Sequence, residues 1–251
     1  MQQIRIEHRG AVALVTLARP PANAMDIALT DEIADVFDRL GKDGQTRAVV
    51  LTGSGKAFCA GLDLKQVPGF GDADQRALLR ALNRAFLAVY DCPVPVIAAL
   101  NGHTIAGGLV LALCCDWRIA ARVPMLVGVT EVRVGIPYPL AGIEVVRAEL
   151  SPPVAREFVL FGQNVDAEAA LRDRVVDALV EPAELEAAAL KKATEMAALP
   201  LEGFAKIKRQ LRAQALERMR AVVSGEDPYA GNWLSDETKA AAAAILAGGR
   251  G

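Results

Sequence analysis

The sequence predicts an α/β fold: a largely parallel sheet covered by helices, with a mostly helical region after it. Three observations carry this. Short β-rich runs alternate with helical runs through the first half, the strands AVVLTG and VIAAL are apolar enough to be buried, and the region after about Pro139 is mostly helical. Strand, crossover helix and strand in succession imply parallel pairing. The chain has 251 residues, 53% of them apolar and only 5% aromatic, so the core is built from Ala, Val and Leu within one main domain. That apolar excess also suggests buried subunit contacts.

The elements follow in order. QIRIEH and AVALVTLA form a hairpin across the turn His8-Arg9-Gly10. In ALTDEIADVFDRLGKD, Ile33, Val36, Phe37 and Leu40 recur at helical spacing, Thr30 is placed to cap the start, and Gly41 stops the helix. The strand AVVLTG leads into the loop KAFCAGLDL, and a helix runs from about Ala73 to Tyr90. The prolines of DCPVPV break the chain before VIAAL. The turn Asn101-Gly102 then opens AGGLVLALCCDW, which is apolar on all sides and belongs in the core. WRIAA and MLVGVTEVRVG read as further strands. Helices fill the remainder, broken at SPP, VVDALVEP and LPLEG. A junction near Leu150 to Pro153 separates a core at residues 1–150 from a mostly helical region at 151–251.

Several function classes are disfavoured. The longest apolar stretches fall well short of the ~18 residues that span a bilayer, and MQQIRIEHRG is followed by no apolar signal segment. A net charge of -2 without long charge runs offers no footprint for nucleic acid or a membrane surface. The cysteines Cys59, Cys92, Cys114 and Cys115 match neither a zinc site nor a disulfide framework, and read as buried hydrophobes in a reducing compartment, the cytoplasm. GSGK at 53–56 is no phosphate loop, because Val50 stands where the first Gly is needed and Ala57 follows Lys56. No dinucleotide fingerprint occurs, and no Ser sits in a nucleophile elbow. Of the two histidines, His8 reads as a surface residue and His103 as a turn residue.

Two glycine-rich turns are more informative. KAFCAGLDL and NGHTIAGGL each follow a buried strand and offer small residues but no nucleophile or base, so any chemistry there belongs to the backbone. Gly107 lies at the start of the helix GLVLALCC, where the first amides lack intrahelical partners; the N–H of Leu62, after Ala60 and Gly61, can be equally free. Either turn alone reads as tight helix–strand packing.

Together with RPPANAM before them and EVRVGIPYPLAG after them, the segments GKAFCAGLDL and NGHTIAGGLVLALCCDWRIA resemble the crotonase, or enoyl-CoA hydratase/isomerase, superfamily from about Gln3 to the C-terminus. The resemblance implies a spiral of ββα units with a C-terminal helical trimerisation region. It implies an acyl-CoA thioester as substrate, with the N–H groups of Leu62 and Gly107 as its oxyanion hole. It further implies a homotrimer or dimer of trimers, and neither metal nor cofactor beyond the CoA of the substrate. Ala24, Ala60, Gly61, Asp63 and Leu64 are the contacts carried over for CoA and substrate, with Val110 and Thr130 at the acyl end; Arg19 and Lys208 are candidate partners for the CoA phosphates.

Hydratases of this superfamily use two glutamates. Here Val110 stands at the first position and Glu131 at the second. Val110, three residues after Gly107, shares its helix face and is expected to wall the reacting carbons. Read locally, Glu131 is a strand-end carboxylate beside Arg133, both opposite Val132 and Val134; the resemblance makes it a base in an apolar cleft. One base and an oxyanion hole suffice to move a double bond, so the pattern looks most like the delta-3,delta-2-enoyl-CoA isomerases. The alternatives are a hydratase of unusual mechanism and a catalytically silent CoA-ester binder.

Overall fold

The computed structural model describes residues 3–66, 69–231 and 233–248. Its elements are β1 (Ile4–Arg9), β2 (Val12–Leu17), α1 (Ile27–Leu40), β3 (Ala48–Gly53), β4 (Ala57–Cys59), α2 (Asp72–Tyr90), β5 (Val96–Leu100), β6 (His103–Ile105), α3 (Gly107–Leu113), β7 (Trp117–Ala121) and β8 (Val127–Gly128). A 3-10 turn at Glu131–Arg133 follows, then α4 (Leu140–Glu149), α5 (Pro152–Phe161), α6 (Ala167–Arg172), β9 (Ala178–Val180), α7 (Leu185–Ala197), α8 (Leu201–Leu211), α9 (Ala213–Ser224) and α10 (Asp236–Gly248).

Two sheets organise the molecule. The larger has the order β1-β2-β3-β5-β7-β9, with only the β1–β2 hairpin antiparallel. The smaller is parallel, in the order β4-β6-β8. Each spiral turn thus gives one strand to the large sheet, one short strand to the small sheet, and then a helical segment: β3-β4-α2, β5-β6-α3, and β7-β8 with the turn at Glu131. Val49, Val50, Leu51 and the whole of β5 are buried, because helices cover the sheet. This is the ββα crotonase architecture with C-terminal helices.

Several expectations from sequence change. Asp26, four residues before Thr30, caps α1: its carboxylate accepts from Leu29 N–H at 2.8 Å. Thr30 lies inside the first turn and its hydroxyl donates to Asp26 O at 2.6 Å. The strand expected through MLVGVTEVRVG is only Val127–Gly128, since its partner β6 is itself three residues long and the ladder ends with it. Within VVDALVEP, β9 pairs with β7, and α7 packs on β3, β5 and β7. Residues after 150 therefore share the sheet of the first half.

Candidate active site

The small sheet brings three loops together. Leaving β4, the chain runs through Ala60, Gly61 and Leu62; leaving β6, through Ala106 and Gly107; leaving β8, through Thr130 and Glu131. Because β4, β6 and β8 are parallel neighbours, the three exits emerge side by side at their C-terminal ends, where α/β folds keep their sites.

The first two exits touch. Gly61 has a φ of +80°, and a Cβ there would lie 2.7 Å from Ala106 Cβ and 3.3 Å from Gly107 N. A Cβ on Gly108 would overlap the Cys59 carbonyl, so the second glycine of AGGL lets α3 close on β4. Ala106 carries a φ of +54°, a conformation that non-glycine residues seldom hold, immediately before the Gly107 N–H.

Neighbours fix which way the Leu62 amide points. Met25 N–H donates to Gly61 O at 2.7 Å, and Asp63 N–H donates to Met25 O at 2.9 Å. In a parallel bridge this turns the N–H of the residue between them, Leu62, away from Met25. Among the described residues neither Leu62 N–H nor Gly107 N–H has an acceptor. Asn23 clamps the loop that supplies Met25. It is fully buried; its Nδ2 lies 2.9 to 3.1 Å from the carbonyls of Ser54, Ala57 and Phe58, and its Oδ1 accepts from Arg19 N–H at 3.0 Å.

A cleft of about 400 Å³ lies against these exits. Ala60, Leu62 and Leu64 line it from the first loop, and Ile105 and Ala106 from the second. Thr130, Glu131, Val134 and Ile136 line it from the third, with Arg133 and Asn164 beside them. Glu131 is the one acid in this lining. It is 8% exposed, and its Oε2 has no hydrogen-bond partner. Burial pushes its carboxyl up to about 7, although its own N–H, the Tyr138 hydroxyl and the Thr130 N–H pull the other way. The local reading of a strand end is corrected, since a 3-10 turn replaces strand alternation, so Glu131 is buried while Val132 and Arg133 are exposed.

The remaining sequence candidates are placed as follows. Val110 is buried but does not line the cleft; α3 is enclosed on all sides, and Val110 Cγ1 lies near Gly142. Ala24 and Asp63 stand outside the lining, joined by Arg19, whose guanidinium donates to Ala24 O at 2.9 Å and pairs with Asp63 at 2.6 Å and Asp26 at 3.0 Å. Burial acts to raise the Asp63 carboxyl, but Arg19, the Lys65 N–H and Gln66 hold it below its ordinary value. Lys208 is buried against Asp116 at 2.8 Å, so it is not a free phosphate partner. His103 Nδ1 accepts from Leu126 N–H at 3.1 Å. Burial pushes the Cys59 thiol up to about 12, which leaves it a neutral packing group. All four cysteines are buried and unbridged.

Sequence reasoning missed Ala106, Tyr138 and Asn164. Ala106 gives no signal, since alanine does not announce a positive φ. Asn164 reaches the cleft through tertiary contact: Val165 bridges Val127 of β8, and only the fold places that segment beside Thr130.

The arrangement offers two unengaged backbone donors beside a cleft with one buried carboxylate. The family described as enoyl-CoA hydratase/isomerase matches residues 7–240. A Mycobacterium tuberculosis protein named "Probable enoyl-CoA hydratase EchA14" is 38% identical over 207 residues, 81% of this chain and 79% of its own. The (E)-benzylidenesuccinyl-CoA hydratase of Thauera aromatica is 36% identical over 184 residues, covering 72% and 71%. Among solved structures, human mitochondrial delta3-delta2-enoyl-CoA isomerase superposes over 100% of both chains with a TM-score of 0.91 at 24% identity, a likeness of fold.

Proposed function

Because the chain belongs to the enoyl-CoA hydratase/isomerase family and so to the acyl-CoA enzymes, we propose that its reaction shifts the double bond of a 3-enoyl-CoA to give the 2-enoyl-CoA. The observation that carries this reading is the single carboxylate among the described residues of the cleft lining, Glu131; Val110, which the resemblance sets at the position of the hydratases' other glutamate, is buried outside that lining and offers no second acid.

The thioester carbonyl accepts from Leu62 N–H and Gly107 N–H, and Glu131 removes the α-proton. Electrons move from the C–H bond through the thioester to its oxygen, giving a dienolate held by the two amides. The protonated Glu131 then returns the proton to the γ-carbon, which leaves the double bond between α and β. Each amide contributes roughly 3 kcal/mol to transition-state stabilisation. A carboxyl near neutrality suits both halves, since it is ionised enough to accept the proton and acidic enough to return it. No water is activated, and no cofactor is used beyond the CoA of the substrate. Ala24, Ala60, Gly61, Asp63 and Leu64 sit along the CoA side, with Thr130 at the acyl end.

A homotrimer or dimer of trimers accompanies this proposal; exposed Val132, Leu160 and Phe161 supply apolar surface near the Glu131 turn for it. The buried free thiols accord with a cytoplasmic setting.

A second reading, hydration, is favoured by the names of the two curated relatives and by Asn164 and Tyr138, polar groups that can hold a water. Offering the purified protein 3-enoyl-CoA and 2-enoyl-CoA in parallel separates the two. Isomerase function gives 2-enoyl product much faster than 3-hydroxyacyl product; comparable or dominant hydration overturns it.

A further inference from the structure

The chain that follows Glu131 doubles back on itself and is pinned from outside. Ile136 N–H donates to Glu131 O at 3.0 Å, and Gly135 takes a φ of +63° in the bend. Two side chains near the C-terminus hold the return. Trp233 Nε1 donates to Pro137 O at 2.7 Å, and Thr238 Oγ1 donates to Gly135 O at 2.8 Å. Both are buried, Trp233 to 1% exposure, so these are fixed anchors. Tyr138 sits between the anchored Pro137 and Pro139. Among the described residues its hydroxyl is buried without a hydrogen-bond partner, as is Glu131 Oε2. Each still acts on the other: the hydroxyl counteracts the rise of the Glu131 carboxyl, and burial together with Glu131 pushes the phenol above its ordinary value. One atom is a donor and the other an acceptor, and buried polar groups pair where they can.

We propose that Tyr138 is a positioning residue for Glu131: its phenol turns its O–H onto Oε2 of the ionised carboxylate and holds it, leaving the second oxygen to meet the substrate's proton. This rests on Glu131 being the base. The donor comes from the segment GIPYPLAG, whose backbone on the N-terminal side of Tyr138 the C-terminal anchors hold. Charged groups do not compete for this role. Arg133 on the same turn is exposed but borders the cleft; Arg156 and Glu157 on α5 and Asp236 and Glu237 at the start of α10 are exposed, Lys239 is partly exposed, and none of these contributes to the shift at Glu131. Thr130 acts through its backbone N–H, and the Cys59 thiol is neutral.

The test is Tyr138→Phe in the full chain, which removes an oxygen bonded to nothing else. Two readouts are taken: titration of the carbon-13-labelled Glu131 carboxyl, assigned by its loss in Glu131→Gln, and the pH profile of kcat/KM with 3-enoyl-CoA. Loss of a donor to the ionised form raises the carboxyl by about one unit, and the acid limb of the rate profile moves with it. Trp233→Phe keeps an aromatic ring but loses the Nε1 donor and so releases Pro137; it moves both in the same direction by less. A Glu131 titration unchanged in Tyr138→Phe, or in Trp233→Phe should the first variant not fold, overturns the proposal whatever the protein catalyses. A titration that moves in a protein unable to turn over 3-enoyl-CoA upholds Tyr138 and sinks the isomerase reading instead.

Discussion

Glu131 is a buried carboxylate and Asp116 a partly buried one with its side chain 9% exposed, and their surroundings differ in kind. Asp116 meets Lys208 at 2.8 Å and Arg212 at 3.1 Å, and accepts from Val96 N–H at 2.8 Å. Arg212 extends this network to Glu149 at 3.3 Å and stacks 3.9 Å over the Tyr90 ring, while the Tyr90 hydroxyl donates to Glu149 at 3.0 Å. Burial alone would lower Arg212, but Asp116 and Glu149 hold it above its ordinary value. Glu131 has no cation among the influences on it, and burial raises it instead. Paired burial locks α8 and α9 to the ends of β5 and β7, whereas unpaired burial leaves a carboxyl ready to exchange a proton near neutral pH.

The largest effect comes from breaking the paired side. Asp116→Ala leaves the buried Lys208 without its ion-pair partner and Arg212 with Glu149 alone, and the loss is about 3–5 kcal/mol of folding stability. Chemical denaturation checks this, and a midpoint like that of the natural protein would mean the network is not what holds the helices.

The unpaired side gives stability a pH dependence of the opposite sense from an ordinary salt-bridged acid. The Glu131 carboxyl sits at about 7 in the fold against a reference of 4.5, so between these values the folded state binds the extra proton. Stability contributed by this group is fully present below 4.5 and falls as pH rises to 7, by about 3 kcal/mol in all. Denaturation of the natural protein and Glu131→Gln across pH 4 to 8 isolates the effect as their difference. A difference that stays flat contradicts the burial argument.

Gly61→Ala sharpens the backbone half of the site. It forces a side chain into the +80° conformation and toward Ala106 Cβ, displacing Leu62 N–H from Gly107 N–H. Loss of alignment at one donor costs roughly 10²-fold in kcat. Steady-state kinetics with 3-enoyl-CoA measures it, and near-normal kcat argues against these amides as the oxyanion hole.

Smallest is Arg19→Gln. The pair with Asp63 is only partly buried, at 19% and 14% side-chain exposure, so its loss costs about 1 kcal/mol or less. Asp63 then titrates closer to its ordinary carboxylate value, an NMR-visible change. A loss comparable to that of Asp116→Ala would erase the distinction between rim pairs and buried ones.

Sequence showed the parts of this contrast unequally. The strands AVVLTG and VIAAL, the enclosed α3 and the two glycine-rich turns are legible because local composition determines them. The small sheet is not, since β4, β6 and β8 are two or three residues long and exist only by pairing with one another. For the same reason Glu131, read locally, looked like a strand end, and only the resemblance placed it in a cleft: the ladder ends at Gly128 and the chain then turns through a 3-10 segment. Lys208 looked available to a CoA phosphate because its partner, Asp116, lies 92 positions away in sequence. Tyr138 and Asn164 carried no periodic signal, and only folding brings Asn164 into the cleft lining and Tyr138 to Glu131.

The most direct measurement is Glu131→Gln followed in two ways, turnover of 3-enoyl-CoA and folding stability at neutral pH, with ester binding as a control. The substitution keeps shape and removes the base. Isomerisation should fall by roughly 10³-fold, while ester binding persists and stability is unchanged or higher, since an unpaired buried charge is gone. Turnover within tenfold of the natural protein, or a stability loss like that of Asp116→Ala, would contradict the assignment of this carboxyl to chemistry.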